Sequence, residues 1–166
     1  MKFIFKIGLL FITLHLFFGC YSLVGSSLNK NIKTAKVFTI VNNAPLKNLG
    51  LANNFTNSLT NRIDERTNLT LTNEQGDISI KGEITKYELS FANISSEGGA
   101  SQNRLSIGIN IIYENKIEPL KNFTKLYEDY ENFNANLSLS NVESSLVQVI
   151  TEKLIDKIFN DIITDW

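Results

Sequence analysis

The stretch Leu105-Ser-Ile-Gly-Ile-Asn-Ile-Ile-Tyr113 is the most regular alternation of apolar and polar residues in the chain. Every second position is apolar, and mostly polar or small residues lie between. Because successive side chains of a β-strand point to opposite faces, this pattern predicts a strand with one face in a core and the other in solvent. The rest of the predicted fold is built outward from this strand.

Two further strands are predicted to flank it. The preceding one carries six apolar residues in two phases: Ile78, Ile80 and Ile84, then Tyr87, Leu89 and Phe91. The phase slip at Thr85-Lys86 predicts a β-bulge there. Residues 93–101, with Gly98-Gly99, should form the hairpin loop between the two strands, and residues 122–131 should form a last strand after a turn at 115–119. Hairpins of this kind predict antiparallel neighbours.

The remaining elements are one strand and two helices. Residues 34–41 are β-branched and roughly alternating, which predicts a first strand. Leu51, Phe55, Leu59 and Ile63 recur every four residues, which predicts a helix over about 49–66 with Asn48 as its cap. A short extended piece at 68–71 and a turn at 73–76 lead back to the sheet.

A long C-terminal helix is predicted from a broad apolar face over Val142–Trp166. Ser140 and Glu143 have the spacing of a capping box. The predicted order is therefore β-α-β-β-β-α, with the first strand parallel to the one after the crossover helix. We expect an α+β fold, a two-layer sandwich in which two helices cover one face of a four-stranded mixed sheet, in a single domain over 34–166.

The pattern of the N-terminal segment predicts a targeting signal. Lys2 and Lys6 precede an apolar run from Ile7 to Phe18, and Gly19 comes directly before Cys20, the only cysteine. This arrangement resembles the lipobox of bacterial lipoproteins, although Phe17 stands where that family usually has Leu. The resemblance predicts a signal peptide over 1–19, acyl chains on Cys20 and a tether over 20–33. The alternative is an incidental or buried free cysteine beside an uncleaved anchor.

Composition excludes several classes of function. Lys2 and Lys6 are the only charged residues before Cys20, so the chain from Cys20 onward has 14 basic and 17 acidic residues, net −3. That charge does not mark a nucleic-acid binder. The only histidine, His15, lies in the predicted signal, which removes Ser-His triads and ordinary zinc sites from the mature chain. No phosphate-binding glycine motif occurs. We therefore expect no metal and no cofactor besides the acyl chains, and binding rather than catalysis.

The order of these segments resembles the LptE family of lipopolysaccharide-assembly lipoproteins, most closely its Bacteroidetes-type branch. The likeness covers nearly the whole mature chain. It rests on Cys20-Tyr21-Ser22 with Gly25, Gly82-Glu83-Ile84-Thr85-Lys86-Tyr87, Gln102-Asn103-Arg104-Leu105, and the helix that closes on Asp165-Trp166. Asn42 to Leu49 is poorer in family-like residues.

The resemblance implies a non-enzymatic plug inside an LptD-like outer-membrane β-barrel, which helps the barrel to assemble and to pass lipopolysaccharide to the cell surface. It implies a periplasm-facing site in the outer membrane, and the absence of an acidic residue directly after Cys20 fits that site. Lipopolysaccharide carries phosphates, for which Arg or Lys near a loop is suited. Arg104 is the first candidate contact, and Lys116 and Lys121 come second.

Three other functions were open on sequence grounds. An adaptor or structural lipoprotein of another envelope complex would have the same sandwich and a different partner. An enzyme would need a perturbed carboxylate pair, with Glu128, Asp129 and Glu131 as the candidates. A small-lipid carrier would need a hollow between the helices and the sheet.

Overall fold

The computed structural model describes residues 28–46, 48–94 and 100–163. The strands are β1 Thr34–Val37, β2 Val41–Asn42, β3 Thr70–Leu71, β4 Ile78–Ile94, β5 Ala100–Asn115 and β6 Phe123–Asn134. The helices are α1 Leu51–Arg66 and α2 Leu139–Ile163, and a short 3-10 helix spans Pro119–Lys121. The predicted signal peptide, Cys20, most of the tether and the centre of the 93–101 loop lie outside the described residues.

The α+β class is confirmed, but the four-stranded sheet and the predicted order β-α-β-β-β-α are wrong. The described residues form six strands, in the order β-β-α-β-β-β-β-α along the chain. The order across the sheet is β3-β1-β4-β5-β6, and β2 pairs with β4 beyond the end of β1. The predicted strand at 34–41 is divided because the backbone N–H of Ile40 donates to Thr56 Oγ1 of α1, at 3.0 Å, instead of to the sheet. The 68–71 piece contributes Thr70–Leu71 as a parallel edge strand beside β1.

The pairing directions are as predicted. β1 runs parallel to β4, and β4, β5 and β6 form an antiparallel meander. A register shift between Ile84 and Lys86 confirms the bulge. It allows Ile84, on one side of the shift, and Tyr87, on the other, both to be buried on the same face.

One hydrophobic core fills the space between the inner face of the sheet and the helices. Leu105, Ile107, Ile109 and Ile111 are fully buried, as are Phe55 and Leu59 of α1 and Ile150, Leu154 and Ile158 of α2. The two helices contact each other, and α2 packs on β5 and β6. Gly82 makes room in this layer, since a Cβ there would lie 2.9 Å from Ile40 Cγ1 and 3.1 Å from Ile111 Cδ1.

Both predicted helix caps are wrong. α1 has Gly50 at its N-cap, and Asn48 Oδ1 accepts from the Gly50 N–H outside the helix. α2 begins at Leu139, so Ser140 lies within its first turn. The Glu143 carboxylate instead accepts hydrogen bonds from Asn48 Nδ2, at 3.0 Å, and from the Tyr87 hydroxyl. Glu143, which the capping pattern assigned to the N-terminus of its own helix, thus links α2 to β4 and to the segment before α1.

Candidate functional surfaces

The sheet has two distinct ends. At the entry end, where the chain enters β1, the Asp77 carboxylate accepts from the backbone N–H groups of Lys33 and Thr34 at 2.8 and 2.9 Å, and Lys116 N–H donates to the Asp77 carbonyl. The far end holds the β4–β5 hairpin and the start of both helices, which Glu143 joins to β4. Because Arg104 and Lys116 are twelve residues apart along β5, they are separated by roughly 40 Å. The three predicted lipopolysaccharide contacts therefore do not form a single site.

Arg104 is held at the far end, on the outer face of the sheet. Its guanidinium lies 3.8 Å from the ring centroid of Tyr130, and its Nε donates to Asn132 Oδ1 at 3.0 Å. Stacking fixes the plane of the guanidinium. With Nε used in this way, the two terminal nitrogens are the ones placed to meet a planar or tetrahedral oxyanion.

Lys116 and Lys121 lie at the entry end, in the turn between β5 and β6. The Lys116 side chain is exposed, and Lys121 forms an ion pair of 3.3 Å with Glu118. Whether these lysines or Arg104 contact lipopolysaccharide stays a prediction.

The outer face of the sheet carries ion pairs between neighbouring strands. Lys81 meets Glu114 at 3.0 Å, and Lys86 meets Glu128 of β6 at 3.2 Å. The second pair bridges across β5 above Gly108, where a Cβ would lie 3.0 Å from Lys86 Cβ and 3.2 Å from Glu128 Cγ. A side chain at position 108 would therefore push the pair apart.

Exposed apolar residues also lie on this face, among them Ile112 and Leu126. Ile112 is 38% exposed and Leu126 is 54% exposed. They are diagonal neighbours, because Asn110 pairs with Leu126 and Ile112 with Thr124. Neither residue was predicted from the sequence, although Ile112 is an apolar residue in the polar phase of its strand.

The inner face of β6 is clamped to α2 by polar contacts. Asp129 pairs with Lys157 at 2.8 Å, and Asp161 accepts from Lys125 Nζ at 2.5 Å and from the Tyr127 hydroxyl at 2.6 Å. Burial alone would raise the pKa of Asp129, but the Lys157 hydrogen bond, the Tyr130 N–H and the charge of Lys153 together hold that pKa below its usual value. The carboxylates of Asp129 and Asp161, whose pKa values are both lowered, therefore stay ionised.

The carboxylates considered for catalysis are thus dispersed. Glu128 lies on the outer face, whereas Asp129 and Glu131 face α2. Each is paired with a different lysine. Asp129 and Glu131 share a face of β6, but each is held in an ion pair with its own lysine of α2, so the three carboxylates do not form the acid–base pair that hydrolysis would need.

The Glu143 cluster joins the start of both helices to the middle of β4. Hydrogen bonds from Tyr87, first, and from Asn48 hold the pKa of Glu143 below its usual value. Burial, followed by the Glu143 contact, raises the pKa of the Tyr87 hydroxyl, which stays protonated and donating. These hydrogen bonds hold α2 to β4 and to the segment before α1.

A groove of about 540 Å³ lies between α1 and α2. It is lined mostly by amide, hydroxyl and carboxylate side chains, among them Asn54, Asn57, Ser144 and Gln148. This groove is polar and lies between the helices, not between helices and sheet, so it does not match the hollow that a lipid carrier would need.

The described residues offer neither a metal site nor a membrane-spanning helix. No cluster of His, Cys, Asp and Glu with the makings of a metal site occurs among them. None of the described helices combines the length and the apolar character needed to cross a membrane.

Three solved structures with a similar fold are lipoproteins. A minor lipoprotein from Acinetobacter baumannii matches with a TM-score of 0.53 at 11% identity, covering 79% of this chain and 92% of that one. An uncharacterized lipoprotein B from Nitrosomonas europaea matches with a TM-score of 0.53 at 12% identity, covering 84% and 90%. The rare lipoprotein B from Shewanella oneidensis gives 0.50 at 9% identity, covering 76% and 90%. At such identities the likeness shows the fold alone.

Sequence comparison supplies the family. The curated proteins give no match to this chain. The family model described as "LptE: Lipopolysaccharide-assembly" matches residues 32–162, which is nearly all of the predicted domain from β1 to the end of α2. The chain belongs to the LptE family of lipopolysaccharide-assembly proteins.

Proposed function

We propose that this chain is a periplasm-facing outer-membrane lipoprotein, anchored by acyl chains on Cys20, that plugs an LptD-like β-barrel. In that position it helps the barrel to assemble and to pass lipopolysaccharide to the cell surface. Family membership supports the role in lipopolysaccharide assembly, and the family is non-enzymatic, so the chain acts by binding.

The outer face of the sheet is the observation that carries the plug. No described helix covers this face, and it carries ion pairs such as Lys81–Glu114 and Lys86–Glu128. A plug has to place a rigid surface against the polar wall of a barrel lumen without leaving charges unpaired. The charges that flank the exposed Ile112 and Leu126, in the pairs Lys81–Glu114 and Lys86–Glu128, meet that requirement.

Arg104 is the lipopolysaccharide contact that we propose first. Its stack on Tyr130 pre-orders a guanidinium at the far end, opposite the anchored end. A lipid phosphate could accept from both terminal nitrogens. Arg104→Gln should weaken binding of purified lipopolysaccharide about tenfold, and Arg104→Lys should restore little, because an ammonium neither stacks nor donates as a fork. Equal binding by the wild type and Arg104→Gln would remove this residue from the proposal.

The first experiment is a co-purification with site-specific crosslinking. The chain is tagged at its C-terminus, outer membranes are extracted in mild detergent, and the proteins that elute in stoichiometric amount are identified. A photo-reactive amino acid replaces Leu126 on the outer face or, as the matched control, Val149 of α2, which is 42% exposed.

A large β-barrel that crosslinks from position 126 and only weakly from position 149 is the expected result. A stable complex with a different envelope protein would replace the plug with the adaptor role. Crosslinking to the barrel from position 149 alone would keep the partner and reject the sheet face as the contact.

The anchor has its own test. Cys20→Ala should move the chain from the membrane fraction to the soluble fraction, because acyl chains supply roughly 0.8 kcal/mol per buried methylene. Unchanged partitioning would show that the chain is held by something other than acyl chains on Cys20.

A further inference from the structure

The entry end of the sheet carries a surface that the plug and the Arg104 contact do not use. We call it the foot and define it as residues 28–34, Asp77 and residues 115–122. Hydrogen bonds join its three parts: Lys33 and Thr34 donate to the Asp77 carboxylate, and Lys116 donates to the Asp77 carbonyl. The turn at 115–122 is therefore fixed beside the point where the tether joins the domain.

The turn is rigid and presents apolar residues to solvent. Asn115 is 1% exposed, and its Oδ1 accepts from the N–H groups of Ile117 and Glu118 at 3.0 and 2.8 Å. Asn122 Oδ1 closes the turn on the Asn115 N–H. On this frame Leu120 is completely exposed and Ile117 is 40% exposed. The hydrogen bonds of the turn hold Leu120 in its exposed position.

The segments of the foot also carry lysines. The foot contains Lys30, Lys33, Lys116 and Lys121, against the carboxylates of Asp77 and Glu118. Asp77 is engaged by backbone donors and Glu118 by Lys121. The foot is thus positive, whereas the chain from Cys20 onward is net −3.

The position of the foot beside the tether indicates that it lies close to the membrane. Residues 20–27 join Cys20 to the described domain, and eight extended residues reach at most about 28 Å. A domain held on so short a tether keeps the end where the tether enters close to the bilayer. Exposed Leu flanked by Lys is the composition that enters a headgroup layer and binds its phosphates.

We propose that the foot is a membrane-contacting surface, in which Leu120 and Ile117 enter the headgroup region of the anchoring leaflet and the lysines bind anionic phospholipid. This inference rests on the proposed acyl anchor at Cys20. It concerns the lipoprotein on a bilayer, before or apart from a complex with a barrel. The contact orients the domain with Arg104 and the far end pointing away from that leaflet.

Tryptophan fluorescence tests the contact. Trp166 is the only tryptophan, so the acylated full chain with Trp166→Phe can report from a single new position. Leu120→Trp is compared with Leu49→Trp, because Leu49 is 95% exposed and lies at the far end. Both are reconstituted into vesicles of phosphatidylethanolamine with phosphatidylglycerol, with and without brominated acyl chains.

Emission from position 120 should shift to the blue and be quenched by brominated lipid, whereas position 49 should behave as in water. Equal spectra and equal quenching in two proteins that both float with the vesicles would overturn the foot alone. Failure of both to float would contradict the acyl anchor, and with it this proposal.

Lysine substitutions test the charge. Lys33→Gln and Lys116→Gln should each lower the equilibrium constant for contact at position 120 about fivefold, and high salt should do the same. The control Lys153→Gln makes the same change of charge on α2, away from the foot, and should leave quenching unchanged. If instead Lys116→Gln and Lys121→Gln lower binding of lipopolysaccharide without altering quenching, the lysines belong to a lipopolysaccharide site and the membrane contact is rejected.

Discussion

Ile109 and Ile112 lie three residues apart on one strand and meet opposite surroundings. Ile109 is fully buried under the helices, whereas Ile112 is 38% exposed beside Leu126 on the open face. The inner face of β5 is filled with aliphatic side chains, and the outer face with paired charges, amides and a glycine. We infer that the inner face supplies stability and that the outer face is left available for contact.

The two isoleucines themselves give the largest expected contrast. Ile109→Ala should lower the free energy of unfolding by about 2–5 kcal/mol, because it leaves a cavity in a closed core. Ile112→Ala should cost about 0.5 kcal/mol or less, since its surroundings are partly solvent. Urea unfolding followed by circular dichroism measures both, and equal losses would contradict the division between the faces.

A glycine on the inner face gives the next effect. Gly82→Val should cost about 1–3 kcal/mol or more, because even a Cβ would approach Ile40 Cγ1 to 2.9 Å. Gly50→Ala is the matched control, since its added Cβ would meet nothing closer than 3.6 Å. Thermal unfolding should show a clear drop in Tm for the first variant and little change for the second. A Gly82→Val protein as stable as wild type would mean that the core is loosely packed there.

Sequence could predict the meander and the inner face because period-2 alternation reports which side of a strand is buried. The bulge was visible for the same reason, as a change of phase between Ile84 and Tyr87. The split of the first strand was not visible, because it depends on a hydrogen bond from Ile40 to Thr56 in a later helix. Edge strands of two residues, such as Thr70–Leu71, are too short to show a period.

The candidate surfaces were predictable only in part. Arg104 could be named from its place beside a loop, but its stack on Tyr130 depends on strand register. Glu143 fitted a local capping pattern, but its carboxylate instead makes tertiary contacts with Tyr87 and Asn48. Lys116 and Lys121 were grouped with Arg104 by chemistry, whereas the length of β5 separates them. The sequence pattern indicates which face of a strand or helix a residue occupies. Which residues of different strands come into contact depends on how distant strands pair.

Asp77 should make the entry end sensitive to acid. The backbone N–H of Lys33, first, and then Thr34 hold the pKa of Asp77 below its usual value. A carboxyl whose pKa is lowered by folding stabilises the protein above its unfolded pKa of about 4, and this contribution is lost as the pH falls through the folded pKa. Asp77→Asn should therefore cost about 1–2 kcal/mol at neutral pH and little at strongly acidic pH. Urea midpoints across this range measure the difference, and parallel curves for the two proteins would contradict it.

The smallest effect on folding should accompany the largest effect on assembly, at Leu126. Leu126 is 54% exposed on the outer face, so Leu126→Asp should change the free energy of unfolding by about 0.5 kcal/mol or less. In a complex the same change would place an unpaired carboxylate in the contact, beside the already matched Lys86–Glu128 pair. Recovery of the barrel in co-purification should fall at least about tenfold, whereas a Val149→Asp control on α2 should keep it. If Leu126→Asp folds normally and still recovers the barrel in full, the open face of the sheet is not the surface that meets the partner, and the division of labour between the two faces of β5 fails on its functional side.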